Sequence, residues 1–366
     1  MIKKENKVTP AQLFILIVQT EIGVSILSLP NSLFSEAKTD GWLSMLLAGA
    51  ITQILILIIW KLNSRFESLT LFAICRNILG KWLGTLTIII YTAYFCATAG
   101  ITLILFVRML SLWVLPRTPF WILMLLMVAA GMDIARENLR VLARFYTFTL
   151  IFLGVLLLFI LYSLKDAHII YLLPIGHSGL WNIFLGSKKA ILSILGFEMI
   201  LVIYPYVQGT PKQKLKAATF ANLFVTLFYT MTIIACYLFF SPAQLPLLPE
   251  PVLYMFKAFT FTIIERVDLL FISIWVVIVS TSFMTYLYLS SNGIASLFKK
   301  ESHAKFVPLA ALVVFAAAFI PDQNELLITK INYYFEQASI IFIVLIPFIL
   351  LLLSYLFRKK ERGVKS

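Results

Sequence analysis

The sequence predicts an all-α polytopic membrane protein of ten transmembrane helices, in two halves of five related as an inverted repeat, with helices 1 and 6 broken. Three observations predict it. Of 366 residues, 61% are hydrophobic and 13% are charged, against roughly 45–50% apolar and about 25% charged in soluble domains. Apolar runs of membrane length recur along nearly the whole chain. Two of them, five runs apart, carry a glycine with a carboxylate beside it and a proline further on.

A bilayer core of about 30 Å takes about 20 apolar residues per helix. Runs that meet this requirement lie at 11–35, 41–61, 82–112, 119–132, 142–164, 187–206, 216–240, 266–297, 305–320 and 336–357. The first continues past signal-peptide length, contains Glu21 and Pro30 and has no small-residue cleavage site, so it reads as a retained span. The fourth and ninth are short, which implies tilt or shelter inside a bundle. Residues 62–81 are amphipathic and predict an interfacial helix. Residues 180–184 (LWNIF) predict a second surface helix on the opposite side. Residues 241–264 carry four prolines, which predicts an extended start and then a third surface helix. The chain thus reads as one integral membrane domain over 1–366. Its two five-helix repeats are 11–164 and 187–357, and a basic tail follows over 358–366.

The net charge of +13 would suggest nucleic acid in a soluble protein. Here 21 of the 30 lysines and arginines fall at the N-terminus, at the C-terminus and in the connections on the same side as both. That bias predicts cytoplasmic termini and accounts for the charge without nucleic acid. The mean hydropathy of +0.96 excludes a water-soluble globule. Cys75, Cys96 and Cys236 are too scattered for a metal cluster, and the three histidines fall near segment ends. With no nucleophile–base pair, no metal-ligand set and no cofactor motif, an enzyme is not expected.

The broken spans read Glu21-Ile22-Gly23-Val24-Ser25 with Pro30, and Leu195-Gly196-Phe197-Glu198 with Pro205. Paired Gly/Pro-interrupted helices in corresponding positions of two halves point to a binding site between them. Unwound backbone is tolerable in hydrocarbon only where it lines a site or is buried in protein. A freed helix N-terminus favours a ligand carboxylate, and a freed C-terminus favours a cation. Glu198 has two readings: ligand, cation or proton chemistry, or a cap on the freed N–H groups of helix 6. Glu21, two residues before the glycine, reads as structural. Tyr91, Tyr94 or Phe95, and Thr98 share one face of span three. Span eight contributes Ser280, Thr281 and Ser282, followed by Phe283 and Thr285.

The ordered set Ile22-Gly23-Val24-Ser25-Ile26-Leu27-Ser28-Leu29-Pro30, Asp40-Gly41-Trp42, Leu79-Gly80-Lys81-Trp82-Leu83-Gly84, Leu195-Gly196-Phe197-Glu198, Glu265-Arg266-Val267-Asp268 with Trp275, Pro321-Asp322 and the basic tail resembles the endospore germination permease family. Its members are the B subunits of nutrient germinant receptors, within the amino acid/polyamine/organocation superfamily. The resemblance implies a LeuT-like 5+5 fold in the spore inner membrane. It also implies assembly with receptor A and C subunits, and a small-molecule nutrient ligand, chiefly an amino acid. The implied ligand-binding residues are Gly23, Val24 and Ser25, Tyr94 and Thr98, Leu195, Gly196, Phe197 and Glu198, and Thr281 with Ser282. Ser25 replaces the second glycine of the superfamily's Gly-x-Gly, which either narrows the pocket or adds a hydrogen bond. Proton-coupled relatives can place a lysine in the fifth span, but 146–162 contains no charge. Thr281 and Ser282 are then candidates to help hold a monovalent cation. An ordinary secondary amino acid transporter is the alternative function, and sequence does not separate it from a sensor.

Overall fold

The computed structural model describes residues 6–259, 266–321 and 324–361. Residues 260–265 of the expected third surface helix, including Glu265, lie outside the described residues, as do Asp322 and 362–366 of the basic tail. Nearly all of the described chain is helical. In order the helices are α1 (Pro10–Glu21), α2 (Leu29–Ala37), α3 (Gly41–Asn63), α4 (Leu71–Trp113), α5 (Phe120–Ala135), α6 (Leu139–Ser163), α7 (Gly179–Ser193), α8 (Ile200–Ile203), α9 (Pro211–Phe239), α10 (Pro251–Lys257), α11 (Val267–Leu297), α12 (Val307–Phe319), α13 (Glu325–Ile340) and α14 (Ile346–Leu356). Six helical stretches are long and apolar enough to cross a bilayer, and α7 with residues 197–206 forms one more that bends by 53°. Large apolar side chains such as Ile54, Trp82, Leu126, Phe148, Ile151 and Leu312 cover the outer face, as contact with lipid requires.

Local chemistry fixes the helix ends. Thr9 and Thr210 each form a capping box, with Gln12 and Gln213, and each is followed by proline at the first helical position. Gly80, at φ +80°, sits inside α4 and separates residues 71–79 from the long span after it. Of the residues 62–81 expected to form one interfacial helix, 62–63 end α3 and 71–79 form the first two turns of α4, with Leu71, Phe72, Ile74, Cys75 and Ile78 buried. Two other expectations are corrected. Residues 180–184 are the opening of α7, which runs without interruption from Gly179 to Ser193. Helix α10 is not a surface helix: Val252, Leu253, Met255 and Phe256 are buried, and the Phe256 ring lies 4.4 Å from that of Phe271. Span ten starts at Glu325 and passes through a π-helical turn, Ile341–Leu345, before α14.

The connections segregate into two ends. At one end, Val8 pairs with the segment after α8, through its N–H to Tyr206 O (2.9 Å) and through Gln208 N–H to Val8 O (2.8 Å). At that end too, Glu361 N–H reaches Arg65 O, Arg76 Nη2 reaches Ser296 O, and His303 lies 3.1 Å from Ala135 O. At the other end, the Asp40 carboxylate accepts the N–H of Gly176 and of Ser178, and Asn31 donates to Leu245 O and Leu248 O. The connections expected on one side of the membrane are the ones that touch each other.

Close helix crossings hold the bundle together, as expected where lipid supplies no hydrophobic drive between helices. Gly49 of α3 lies against Thr226 of α9, so that a Cβ there would come within 2.9 Å of the Thr226 Cβ itself. No rotamer of Thr226 relieves that. Asn222 of α9 donates to Gly49 O at 3.0 Å. Gly154 on the outer face of α6 meets nothing within 4 Å. Gly49→Ala is expected to destabilise by about 1–3 kcal/mol, whereas Gly154→Ala is neutral or slightly stabilising. Thermal unfolding of the two purified variants in detergent checks both.

Candidate functional site

Helix α1 stops at Glu21. Gly23 is extended (φ −113°, ψ −154°), and Val24–Leu27 form a 3-10 turn before α2. A helix end leaves its last carbonyls without partners, and in a membrane protein those groups must be paired internally. All four are. Val18 O accepts the Ile22 N–H at 3.1 Å. Gln19 O accepts the Thr281 hydroxyl at 2.9 Å, and Thr20 O accepts the Ser282 hydroxyl at 2.8 Å. Glu21 O accepts the Tyr229 hydroxyl at 3.2 Å. A second layer ties α1, α6 and α11 together. Thr20 Oγ1 lies 2.9 Å from Thr285 Oγ1, which lies 2.8 Å from the Tyr146 hydroxyl. Tyr146 also donates to Thr281 O.

The second break needs its glycine. Gly196 has φ +149°, and a Cβ there would stand 2.8 Å from Glu21 N and 2.9 Å from Thr20 C. The two breaks are therefore in direct contact. Gly23, by contrast, has room for a Cβ, whose nearest neighbour would be Ser282 Oγ at 3.7 Å. Glu198 is fully buried. Its Oε2 accepts the Gly196 N–H at 2.8 Å, and its Oε1 accepts the hydroxyls of Tyr286 (2.8 Å) and Tyr94 (3.2 Å). Glu198 thus caps the break and joins it to α4 and α11. The Tyr94 ring stacks on Phe342, with centroids 4.3 Å apart. Phe342 belongs to the π-helical turn, and its carbonyl accepts the Tyr91 hydroxyl at 2.9 Å. Such turns recur at functional sites.

A cavity of about 290 Å³ lies between the breaks. Of the expected residues, Gly23, Val24, Ser25, Thr98, Leu195 and Ser282 line it. Tyr94, Gly196, Phe197, Glu198 and Thr281 do not. Tyr94 and Glu198 stand behind the wall, Thr281 is spent on Gln19 O, Gly196 contacts α1, and Phe197 is wholly buried. The lining also includes Glu21, Thr102, Arg108, Tyr286 and Glu336. Sequence offered a signal for several of these. Thr102 and Tyr286 follow Thr98 and Ser282 by one helical turn, and Arg108 is a charge inside a span, which is a site hypothesis by default. Arg108 pairs with Glu325 at 3.2 Å. A larger groove of about 670 Å³ between α1 and α9 is lined by Phe14, Phe220, Phe224 and Leu227 on the outer apolar face. Lacking convergent polar groups, it has the character of a lipid-contacting surface.

Comparison with known proteins places this geometry. The spore permease family model, described as "Spore germination protein", matches residues 7–326. The chain is 28% identical over 340 residues to the spore germination protein GerQB of Bacillus cereus, covering 93% of each chain. It is 26% identical to the spore germination protein YndE of Bacillus subtilis (strain 168) over the full length of both. It is also 25% identical to the spore germination protein A2 of the same organism, covering 94% of each. Among solved structures, MhsT in complex with L-phenylalanine superposes with a TM-score of 0.69 at 14% identity, covering 98% of this chain and 91% of that one. A Na+-coupled sialic acid symporter gives 0.60 at 12% identity, with 94% and 75% covered. Mhp1, a nucleobase-cation-symport-1 family transporter, gives 0.58 at 13%, with 91% and 77% covered. The family match over most of the length and the superpositions agree: the chain belongs to the spore permease family of spore germination proteins and has the LeuT-like transporter fold.

Proposed function

We propose that this protein is the nutrient-sensing membrane subunit of a spore germinant receptor, and that it binds a small ligand, an amino acid, in the cavity between the two broken helices. The observation that carries the reading is that one cavity is lined from both breaks and from α4 and α11. Its volume is at the low end for ligand pockets and suits a small solute. GerQB, YndE and A2 are named spore germination proteins, and MhsT is a neighbour of the same fold that holds L-phenylalanine. The reading includes two five-helix repeats over 11–164 and 187–357, the spore inner membrane as location with both termini cytoplasmic, and receptor A and C subunits as partners. Ligand binding acts by favouring one conformation, which the partners read, and equal affinity for both conformations would move nothing.

The alternative, secondary active transport of the same ligand, uses the same pocket and differs in net flux. Uptake of labelled amino acid by the chain in liposomes separates the two. A monovalent cation at Thr281 and Ser282 has weaker support. Both hydroxyls donate to carbonyls of α1, and the Tyr146 phenol bridges α6 and α11 beside them. The oxygens that would cage an ion are bonded to one another.

Three outcomes are expected. Ser25→Phe and Thr98→Phe raise the nutrient concentration needed for half-maximal germination by about tenfold or more while the protein stays in the membrane at wild-type abundance. Unchanged dose–response in both variants rejects the cavity. Replacing sodium by potassium or choline leaves the thermal unfolding temperature unchanged, and a stabilisation specific to sodium returns Thr281 and Ser282 to cation binding. Glu198→Ala strands two phenols and one N–H, at on the order of 1–3 kcal/mol for each stranded donor. Its unfolding temperature falls well below that of Glu198→Gln, which keeps an acceptor.

A further inference from the structure

Glu21 is the unexplained group in the site. It is 1% exposed, and both of its carboxylate oxygens are buried without a hydrogen-bond partner. Glu198, next to it across the contact between breaks, is served by three donors. Among the described residues the ion pairs are Arg108–Glu325, Lys189–Glu36 and Arg266–Asp268, and none involves Glu21. No group of three or more His, Cys, Asp or Glu side chains able to hold a metal occurs among those residues.

A carboxyl group with neither donor nor counter-charge is costly to keep out of water. Glu21 is among the residues around the cavity, so a ligand there can supply the missing partner once a side-chain rotation turns the carboxylate toward it. The carbonyls at the end of α1 each already accept a protein donor. In an interrupted helix of this kind, the exposed carbonyls at the C-terminal end are the ordinary acceptors for a cation. Here the carbonyls of Val18, Gln19, Thr20 and Glu21 are all taken, by the Ile22 N–H, Thr281, Ser282 and Tyr229. Among the described residues, the Glu21 oxygens are the only buried side-chain acceptors in the cavity wall left without a donor.

We infer, resting on the pocket proposed above, that the Glu21 carboxylate is the anchor for a ligand ammonium group. The ligand is then an amino acid or another small primary amine, favoured over neutral sugars and nucleosides, which bring hydroxyl donors but no counter-charge. The two unpartnered oxygens accept two N–H bonds from the ammonium and supply its counter-charge, which satisfies both groups at once.

The test uses the full chain purified in lipid nanodiscs. It is titrated with the standard L-amino acids, with the α-hydroxy acid counterpart of each binder, and with glucose and inosine as neutral probes. Thermal shift and calorimetry give the readout. At least one amino acid is expected to bind, with its hydroxy acid about tenfold weaker or worse. Glu21→Gln weakens the amino acid by about the same factor and binds the pair equally. Its unliganded unfolding temperature is at or above the wild-type value, since an uncompensated buried charge has gone. The inference is overturned if the hydroxy acid or a neutral probe binds as tightly as the amino acid, if Glu21→Gln keeps the preference, or if no amine in the panel binds. Ser25→Phe distinguishes the two levels. Binding lost in Ser25→Phe without any preference for the amine leaves the pocket standing and removes the role of Glu21. Binding indifferent to Ser25→Phe removes the pocket. Should Glu21→Gln not yield folded protein, the comparison of amino and hydroxy acids on the wild type decides alone.

Discussion

Peptide groups freed inside hydrocarbon must be paired within the protein, and this one requirement shapes the centre of the molecule. Two helices stop there, so two sets of carbonyl and N–H groups lose their intrahelical partners. The chain answers with side chains from neighbouring helices. Thr281, Ser282 and Tyr229 donate to the end of α1, and Glu198 accepts the N–H of Gly196. The three hydroxyl bonds each join two helices, and Glu198 ties the second break to α4 and α11 through Tyr94 and Tyr286, so satisfying the breaks and assembling the bundle are the same event. The hydroxyls on α11 and the phenol of α6 belong to this frame as much as to any ligand.

Much of this was legible in the residues. Gly196 beside Glu198, with Pro205 beyond, marks a break because glycine reaches φ values other residues avoid, and Gly196 does so at +149°. The pair Thr281-Ser282 was visible as two adjacent hydroxyls in an otherwise apolar span. What they do was not visible, because their partners are backbone carbonyls 262 residues away in the chain. The surroundings of Glu21 were hidden for a related reason. Sequence shows that a carboxylate lies in a span but not whether donors surround it. Glu198 is the acid that acts as a cap, and Glu21 is the one left bare. Residues 180–184 misled because an exposed aromatic cluster looks the same in a separate surface helix and in the first turn of a longer one.

The same comparison explains why the cavity wall and the expected site overlap only in part. A family resemblance transfers positions along a helix, while a wall is set by which face turns inward. Tyr94 turns its ring into the stack with Phe342 and Phe335 and its hydroxyl to Glu198, so Thr98, one turn on, reaches the cavity instead. The π-helical turn in span ten takes part in this arrangement. It frees the Phe342 carbonyl for Tyr91 and sets the ring against Tyr94, which links span ten to the Glu198 cap through aromatic packing.

A sensor on a transporter fold needs a ligand that changes the balance between conformations, and differential contact is the only source of that change. Saturated contacts give none: the carbonyls of α1 and the Glu198 carboxylate are already paired with protein groups, and a ligand that merely replaced those bonds would gain little. An unsaturated contact does. On the proposal above, a ligand ammonium supplies the partner that the buried Glu21 carboxylate lacks, and that contact is the differential one. Any rearrangement that swings α1 away from Gly196 would uncover the same carboxylate to other neighbours and weaken the ligand's hold. On that proposal, the contact between the two breaks, with Gly196 pressed on Thr20 and Glu21, is where occupancy of the pocket would bear on the helices.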